Sequence, residues 1–270
     1  MRENTAKRAW REGQVTYGGW LSIPSAFSAE VMAHQGFDWL CIDMQHGVID
    51  YQVAVTMLQA ISTTETMPFA RVPWNEPGII GKTLDAGAYG VIIPLVNTRA
   101  EAEAAVAACR YAPEGRRSYG PTRAVYYAGE GYASEANEQI ACIPMIETAT
   151  AVANLDEILS VPGIDAVYVG PADLSLTLGL PPAMDHDDQT FQDARLSIVN
   201  ACRQHGIAPG IHANAALAPK HIEAGFQLIT VSSDLSAMAG AAAADLNRAG
   251  GAGRRRFRPE QASLRLAWHR

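Results

Sequence analysis

Gly90-Val91-Ile92-Ile93-Pro94-Leu95-Val96 runs straight into Asn97-Thr98-Arg99-Ala100-Glu101, a strand pattern followed by a helix start. The first run is apolar throughout rather than alternating, as in parallel strands covered on both faces. In the second, Thr98 with Glu101 three residues later forms a capping box, each side chain satisfying a backbone N–H left open by the first helical turn. That helix should end near Arg110, with Pro113 beyond it. The same unit recurs in both directions along the chain. Strand patterns fall at 15–21, 39–43, 67–72, 90–96, 141–147, 166–170, 207–213 and 226–232. Helix patterns lie between them at 25–35, 51–61 (capped by Asp50), 77–86, 149–159, 216–224 and 234–247. Another runs from Asp187 or Asp188 to His205, with Gly206 as its left-handed stop. Eight such units in 270 residues have the size and repeat of an α/β fold, a single-domain (β/α)8 TIM barrel closed by right-handed crossovers. The alternative is an open doubly wound sheet. It would want a Gly-rich phosphate turn after the first strand, where Trp20-Leu21-Ser22-Ile23-Pro24 stands instead. The long connection 111–139, rich in Arg, Tyr and Gly, is expected to be functional.

Composition narrows the partners. Apolar residues make up 48% and charged residues 18%, which excludes disorder through poor hydrophobicity. The net charge of −7 hides a split: residues 248–270 hold seven arginines (Arg248, Arg254, Arg255, Arg256, Arg258, Arg265, Arg270) against Glu260, which leaves 14 basic and 27 acidic residues in 1–247. The barrel is assigned to 1–247 and the Arg-rich end to a subunit-docking or disordered tail. An acidic body is a poor nucleic-acid binder, and a short basic run without interleaved aromatics does not reverse that. Cys41, Cys109, Cys142 and Cys202 are widely spaced, with no CxxC pair, and read as buried thiols in a reducing compartment. The first residues lack the apolar stretch of a signal peptide, and no apolar run reaches the ~18 residues of a membrane span. These features predict a cytoplasmic protein with no membrane partner.

In a barrel of this kind the chemistry gathers at the C-terminal strand ends. The second strand ends in Asp43, with Gln45 and His46 beyond; the third near Arg71; the fifth in Glu147. The sixth runs into Gly170-Pro171-Ala172-Asp173, the seventh delivers His212 and Asn214, and the eighth Ser232, Ser233 and Asp234, which also suit a helix N-cap. Glu147 and Asp173, one unit apart, are a donor set for a hard divalent cation, or a glycosidase acid/base pair; spacing alone does not separate the two. Arg71 suits a substrate carboxylate or enolate oxygen, with a structural salt bridge as the alternative. Asp43 could orient the His46 imidazole as an acid/base dyad. His212 either lines the site or satisfies a backbone carbonyl. Lys7, Lys82 and Lys220 are the only lysines, and none falls at a predicted strand end, which disfavours a Schiff base.

At these residues the chain resembles the HpcH/HpaI aldolase family of class II, metal-dependent pyruvate aldolases. The resemblance spans about 15–238. Its carriers are Gly36-Phe37-Asp38-Trp39, Ile42-Asp43-Met44-Gln45-His46-Gly47, Ala70-Arg71-Val72-Pro73 and Leu84-Asp85-Ala86-Gly87-Ala88. They continue with Arg110-Tyr111-Ala112-Pro113-Glu114-Gly115, Ile146-Glu147-Thr148, and Val169-Gly170-Pro171-Ala172-Asp173-Leu174-Ser175. It implies Glu147 and Asp173 as ligands of Mg²⁺, Mn²⁺ or Co²⁺, Arg71 at the pyruvate carbonyl oxygen, and Asp43 and His46 as the dyad that serves, through a metal-bound water, as the acid/base. Backbone N–H groups of Ala172 and Asp173 would hold the pyruvate carboxylate, with Gly170 and Pro171 shaping the turn. It also implies a homo-oligomer, a hexamer or trimer, with a C-terminal helix on a neighbour. Gln45, where many members carry Glu, and Met145, where several carry Gln, are departures. Arg117 and Arg123 are candidates for gripping a second carboxylate on the aldehyde, with a surface or intersubunit place as the alternative.

The expected reaction is reversible cleavage of a 4-hydroxy-2-oxo acid to pyruvate and an aldehyde through a metal-stabilised enolate. The rivals are an oxaloacetate-type decarboxylase, an acyl-CoA lyase and a non-catalytic 2-oxo acid sensor. The CoA reading wants a basic groove, and no such cluster stands outside the tail; the sensor reading is at odds with retention of every site position.

Overall fold

Eight parallel strands close into one barrel in chain order, β1 pairing with both β2 and β8. The computed structural model describes residues 1–250. The strands are β1 (Thr16–Leu21), β2 (Trp39–Asp43), β3 (Met67–Arg71), β4 (Gly90–Ile93), β5 (Ala141–Ile146), β6 (Ala166–Val169), β7 (Ala208–Ile211) and β8 (Leu228–Ser233). The helices are α1 (Thr5–Arg11), α2 (Ala26–Ala33), α3 (Tyr51–Ile61), α4 (Pro77–Asp85), α5 (Arg99–Cys109), α6 (Ala124–Ala128) and α7 (Tyr132–Gln139). They continue as α8 (Ala149–Ala153), α9 (Leu155–Leu159), α10 (Pro171–Thr177), α11 (Gln189–His205), α12 (Ala218–Ala224) and α13 (Asp234–Gly250).

The predicted caps are present. Asp50 accepts from Val53 N at the start of α3, Thr98 and Glu101 close the capping box of α5, and Asp188 rather than Asp187 opens α11. Gly206 ends α11 at φ 67°, a conformation that costs a residue with a Cβ about 1–2 kcal/mol. The four cysteines are free and buried.

Three elements differ from expectation. The strand expected at 90–96 stops at Ile93, because Pro94 has no N–H for the ladder and Leu95 turns to φ 54°. The helix expected at 149–159 breaks at Asn154, whose side chain donates to Asn97 O at 2.8 Å instead of continuing the turn. The 111–139 connection folds into α6 and α7 and is pinned to the barrel rather than left as an open loop. The expected end of the barrel at 247 falls inside α13, where Arg248 pairs with Asp245 at 3.1 Å; residues 251–270 of the Arg-rich tail lie outside the described residues.

The barrel interior is aromatic. Trp39 stacks on Phe69 at 5.8 Å and meets Tyr168 edge-on at 6.5 Å. Gly18 is required beside them, since a Cβ there would lie 2.1 Å from the Trp39 ring. Helix α1 closes the N-terminal end: Trp10 is buried with its Nε1 donating to Thr16 Oγ1, and Lys7 pairs with Asp165 at 2.8 Å. Among the described residues no helix is long and apolar enough to cross a membrane.

Candidate active site at the strand ends

Asp43 and Arg71 end β2 and β3 in direct register, so their side chains meet at the mouth. Arg71 donates from Nε to Asp43 Oδ1 at 2.9 Å and from Nη2 to Oδ2 at 2.6 Å, a bidentate buried pair. Asp43 also accepts from Trp20 Nε1 at 3.0 Å and from the backbone N–H groups of Gln45 and His46 at 3.1 and 3.2 Å. Burial works against the charged form here, yet Arg71's hydrogen bonds and charge, with those of Trp20 and His46, hold the Asp43 carboxyl below its usual range. Asp43 is therefore an anchored anion. Arg71 keeps Nη1 uncommitted among the described residues and so has a donor to offer the mouth.

The side-chain dyad expected of Asp43 and His46 is not formed. The carboxylate is saturated by Arg71, Trp20 and two backbone donors, so it meets His46 only through the main chain, and the imidazole stands exposed at the rim. Gln45 presents a buried Oε1 without a hydrogen-bond partner among the described residues.

Glu147 follows β5 and is 2% exposed, and among the described residues its carboxylate accepts one hydrogen bond, from Leu95 N to Oε1 at 2.8 Å. Burial pushes its carboxyl up to about 7, with the neighbouring Asp173 adding to the rise and Leu95 and Arg71 opposing it. Asp173 sits in the first turn of α10, where it makes no hydrogen bond or ion pair among the described residues. Gly170 precedes it, and a Cβ at that position would lie 2.4 Å from Glu147 Oε2. Two convergent carboxylates, one of them buried with no cation bonded to it among the described residues, beside a notch that only glycine leaves open, fit a hard divalent cation. Two protein carboxylates leave the other coordination positions to substrate oxygens and water; no group of three or more His, Cys, Asp or Glu gathers among the described residues.

The turn Gly170-Pro171-Ala172-Asp173 opens α10 without a side-chain cap, which leaves the backbone N–H groups of Ala172 and Asp173 facing outward from the helix start. His212 follows β7 beside it, its N–H donating to Val169 O at 3.0 Å. The ring meets the Tyr168 hydroxyl through Nδ1 at 3.3 Å and Trp20 edge-on at 4.9 Å. A cavity of about 350 Å³ opens on its far side, between the ends of β7 and β8, lined by Asn214, Thr230, Ser232 and Ser233 among others. Asp234 is bound to the N–H groups of Ser22, Ile23 and Leu235, so it closes the rim between β8 and β1, as a cap would.

Arg117 and Arg123 do not join this site. Arg117, 6% exposed, pairs with Asp85 at 2.7 Å and lies over the Tyr111 ring at 4.5 Å. Arg123 donates to Ala86 O and Leu58 O. Those partners are at the C-terminal ends of α3 and α4, which in a βα barrel lie at the N-terminal end of the strands, opposite the mouth. Long side chains from the 111–139 connection are consumed in tying it to the barrel. A larger cavity of about 600 Å³ also lies at that end, with Lys7 and Arg110 in its wall each paired with Asp165.

One residue at the mouth was not singled out from the sequence. Trp20, an aromatic in an apolar strand, reads as core; only its place one residue before the end of β1 hinted otherwise.

Residues 16–241 match the family described as HpcH/HpaI aldolase/citrate lyase. The hydroxypyruvate/pyruvate aldolase of Rhizorhabdus wittichii is 41% identical over 240 residues, covering 88% of this chain and 96% of that protein. The 4-hydroxy-2-oxo-heptane-1,7-dioate aldolase of Escherichia coli is 38% identical over 246 residues, 90% of this chain and 93% of that protein. Among solved structures, an HpcH/HpaI aldolase/citrate lyase family protein from Burkholderia cenocepacia superposes with a TM-score of 0.85 at 35% identity, covering 92% of this chain and all of the other.

Proposed function

The chain belongs to the HpcH/HpaI aldolase/citrate lyase family, and from that premise we propose how its mouth cleaves a 4-hydroxy-2-oxo acid reversibly to pyruvate and an aldehyde. It is a carbon–carbon lyase of the aldolase type. The observation that carries the site assignment is the placing of two unlike pairs at one mouth: the Glu147 and Asp173 carboxylates on one side, the Asp43-anchored Arg71 on the other.

Glu147 and Asp173 would hold Mg²⁺, Mn²⁺ or Co²⁺, which when bound supplies Lewis-acid stabilisation of negative charge on the 2-oxo oxygen. Arg71 donates from Nη1 to that same oxygen, whose charge grows as the C3–C4 bond breaks. Its position is fixed before substrate arrives, because Asp43 already occupies Nε and Nη2. The backbone N–H groups of Ala172 and Asp173 take the substrate carboxylate, and Gly170 and Pro171 keep that turn close to Glu147. His46, anchored through its backbone and free to swing at the rim, accepts the proton of the C4 hydroxyl, and in the reverse direction takes one from the pyruvate methyl. His212 walls the other side, towards the aldehyde. Leu235, Met238 and Leu246 are exposed along α13, which suits a homo-oligomer, a hexamer or trimer, in which this helix lies on a neighbour. The four free, buried thiols suit a reducing compartment, the cytoplasm.

The test needs no knowledge of the aldehyde. Pyruvate incubated with the protein and Mn²⁺ or Mg²⁺ in D₂O should lose its methyl proton signal, and EDTA should stop the exchange. Absence of exchange with every divalent cation tried overturns the assignment.

A further inference from the structure

The geometry points to Trp20 as a positioning residue that holds Arg71 in register for the reaction, an inference that rests on the aldolase reading above. The indole touches both members of the ion pair by different means. Its Nε1–H donates to Asp43 Oδ2 at 3.0 Å, and its ring lies under the Arg71 guanidinium at 5.0 Å. Asp43 Oδ2 is the same oxygen that receives Arg71 Nη2, so the three side chains form a closed triangle.

The other side of the ring is fixed as well. Tyr168 stacks on it at 5.5 Å and 17°, and His212 abuts it at 4.9 Å and 80°. Tyr168 is held in turn by its hydroxyl, bonded to Thr230 Oγ1 and to His212 Nδ1. Trp20 is thus wedged across the barrel from β1 to β6 and β7, and it is 4% exposed. The strand pairing shifts at the same level. Gly18 pairs with Thr230 and Gly19 with Ser232, so β8 carries Val231 as an extra residue. Bulges at barrel rims re-aim side chains.

A merely structural tryptophan would want a hydrogen-bond partner for its N–H and nothing more specific. Here the partner is the carboxylate that orients the arginine, and the ring face bears on that arginine's cation. Removing the N–H leaves Asp43 Oδ2 with Arg71 Nη2 as its remaining side-chain donor, so the carboxylate–guanidinium pair can tilt as a unit, taking Nη1 away from the 2-oxo oxygen.

The test is a double-mutant cycle on the Mn²⁺-loaded enzyme, read by kcat/KM for aldol cleavage and by the rate of pyruvate methyl exchange. Trp20→Phe keeps the stack and loses the donor; it should lower both rates about 10- to 100-fold, chiefly in kcat, while Mn²⁺ affinity stays within about twofold. In an Arg71→Lys background the same change should cost less than about threefold, because the group it positions is already gone. Should Trp20→Phe fold poorly, 3-benzothienylalanine at position 20 replaces the N–H by sulfur in a ring of the same shape and should give the same loss. Full activity in either variant, or an equal fold-loss with and without Arg71, overturns the positioning role. A wild type that exchanges no methyl protons overturns the aldolase reading itself. A wild type that exchanges beside an unaltered variant overturns only the role of Trp20.

Discussion

Leu95 gives its backbone N–H to Glu147 Oε1 at 2.8 Å from a left-handed conformation, φ 54°, and among the described residues it is the one non-glycine with a positive φ. That conformation costs about 1–2 kcal/mol for a residue with a Cβ. It turns the N–H at the end of β4 sideways across the barrel mouth, towards the end of β5. Strain at this point and the burial of Glu147 with no bonded cation among the described residues belong together: both are tolerated where a charged ligand completes the site.

Glu147→Gln should therefore separate binding from folding. The amide keeps the shape and still accepts from Leu95, but half of the carboxylate pair is gone. Mn²⁺ affinity, followed by electron paramagnetic resonance titration, should fall at least tenfold. The metal-free variant should melt no lower than the metal-free wild type, because a buried carboxylate without a paired cation does not stabilise the fold. A clear drop in the melting temperature would mean that Glu147 is a structural anchor.

Arg71→Ala should show the reverse pattern. It leaves Glu147 and Asp173 untouched, so Mn²⁺ still binds, while kcat/KM falls about 10²- to 10³-fold through loss of a preorganised donor to the 2-oxo oxygen. It also strands Asp43 as a buried anion, which should cost about 3–5 kcal/mol of stability in urea unfolding. Asp43→Asn in the same background should recover part of that stability and none of the activity. Recovery of activity would show that Arg71 acts only as the partner of Asp43.

Much of this was legible before the fold was known, for a definite reason. In a parallel barrel the residue that ends a strand faces the mouth, so Asp43, Arg71, Glu147 and the Gly170–Asp173 turn could be placed from the strand pattern alone. Whom each side chain would choose could not. Asp43 had His46 three residues away and Arg71 a whole βα unit away, and the bidentate geometry of the guanidinium won. Arg117 and Arg123 show the same limit: a long cationic side chain in a long loop reads alike whether it grips a ligand or ties the loop down.

Arg117→Ala tests that last distinction. The guanidinium bonds Asp85 at 2.7 Å and the Tyr132 hydroxyl at 2.9 Å, with Tyr111 and Tyr132 against its faces. Removing it should lower stability by about 1–3 kcal/mol, because the Asp85 carboxylate it leaves behind is only partly buried and keeps access to water. The ratio of kcat/KM for a carboxylated aldehyde to that for an uncharged one should stay within about twofold. A selective loss on the carboxylated acceptor would return Arg117 to the substrate site.

His221 gives the pH dependence of the fold. It is fully buried on α12 against Phe226, and neither ring nitrogen has a hydrogen-bond partner among the described residues. Burial lowers its pKa from the ordinary 6.5 to about 4, with the charges of Arg195 and Lys220 adding to the fall and Asp185 opposing it. A depressed folded-state pKa means that the unfolded chain binds the proton more readily. Stability is therefore full above about pH 6.5 and is lost as pH falls towards 4, by up to about 3 kcal/mol for this group. Urea unfolding at pH 7.5 and at pH 4.5 should show that loss in the wild type. His221→Phe, which keeps an aromatic ring against Phe226 and cannot take up a proton, should flatten the difference between the two pH values by about 2–3 kcal/mol. An identical pH dependence in variant and wild type would place the sensitive group elsewhere.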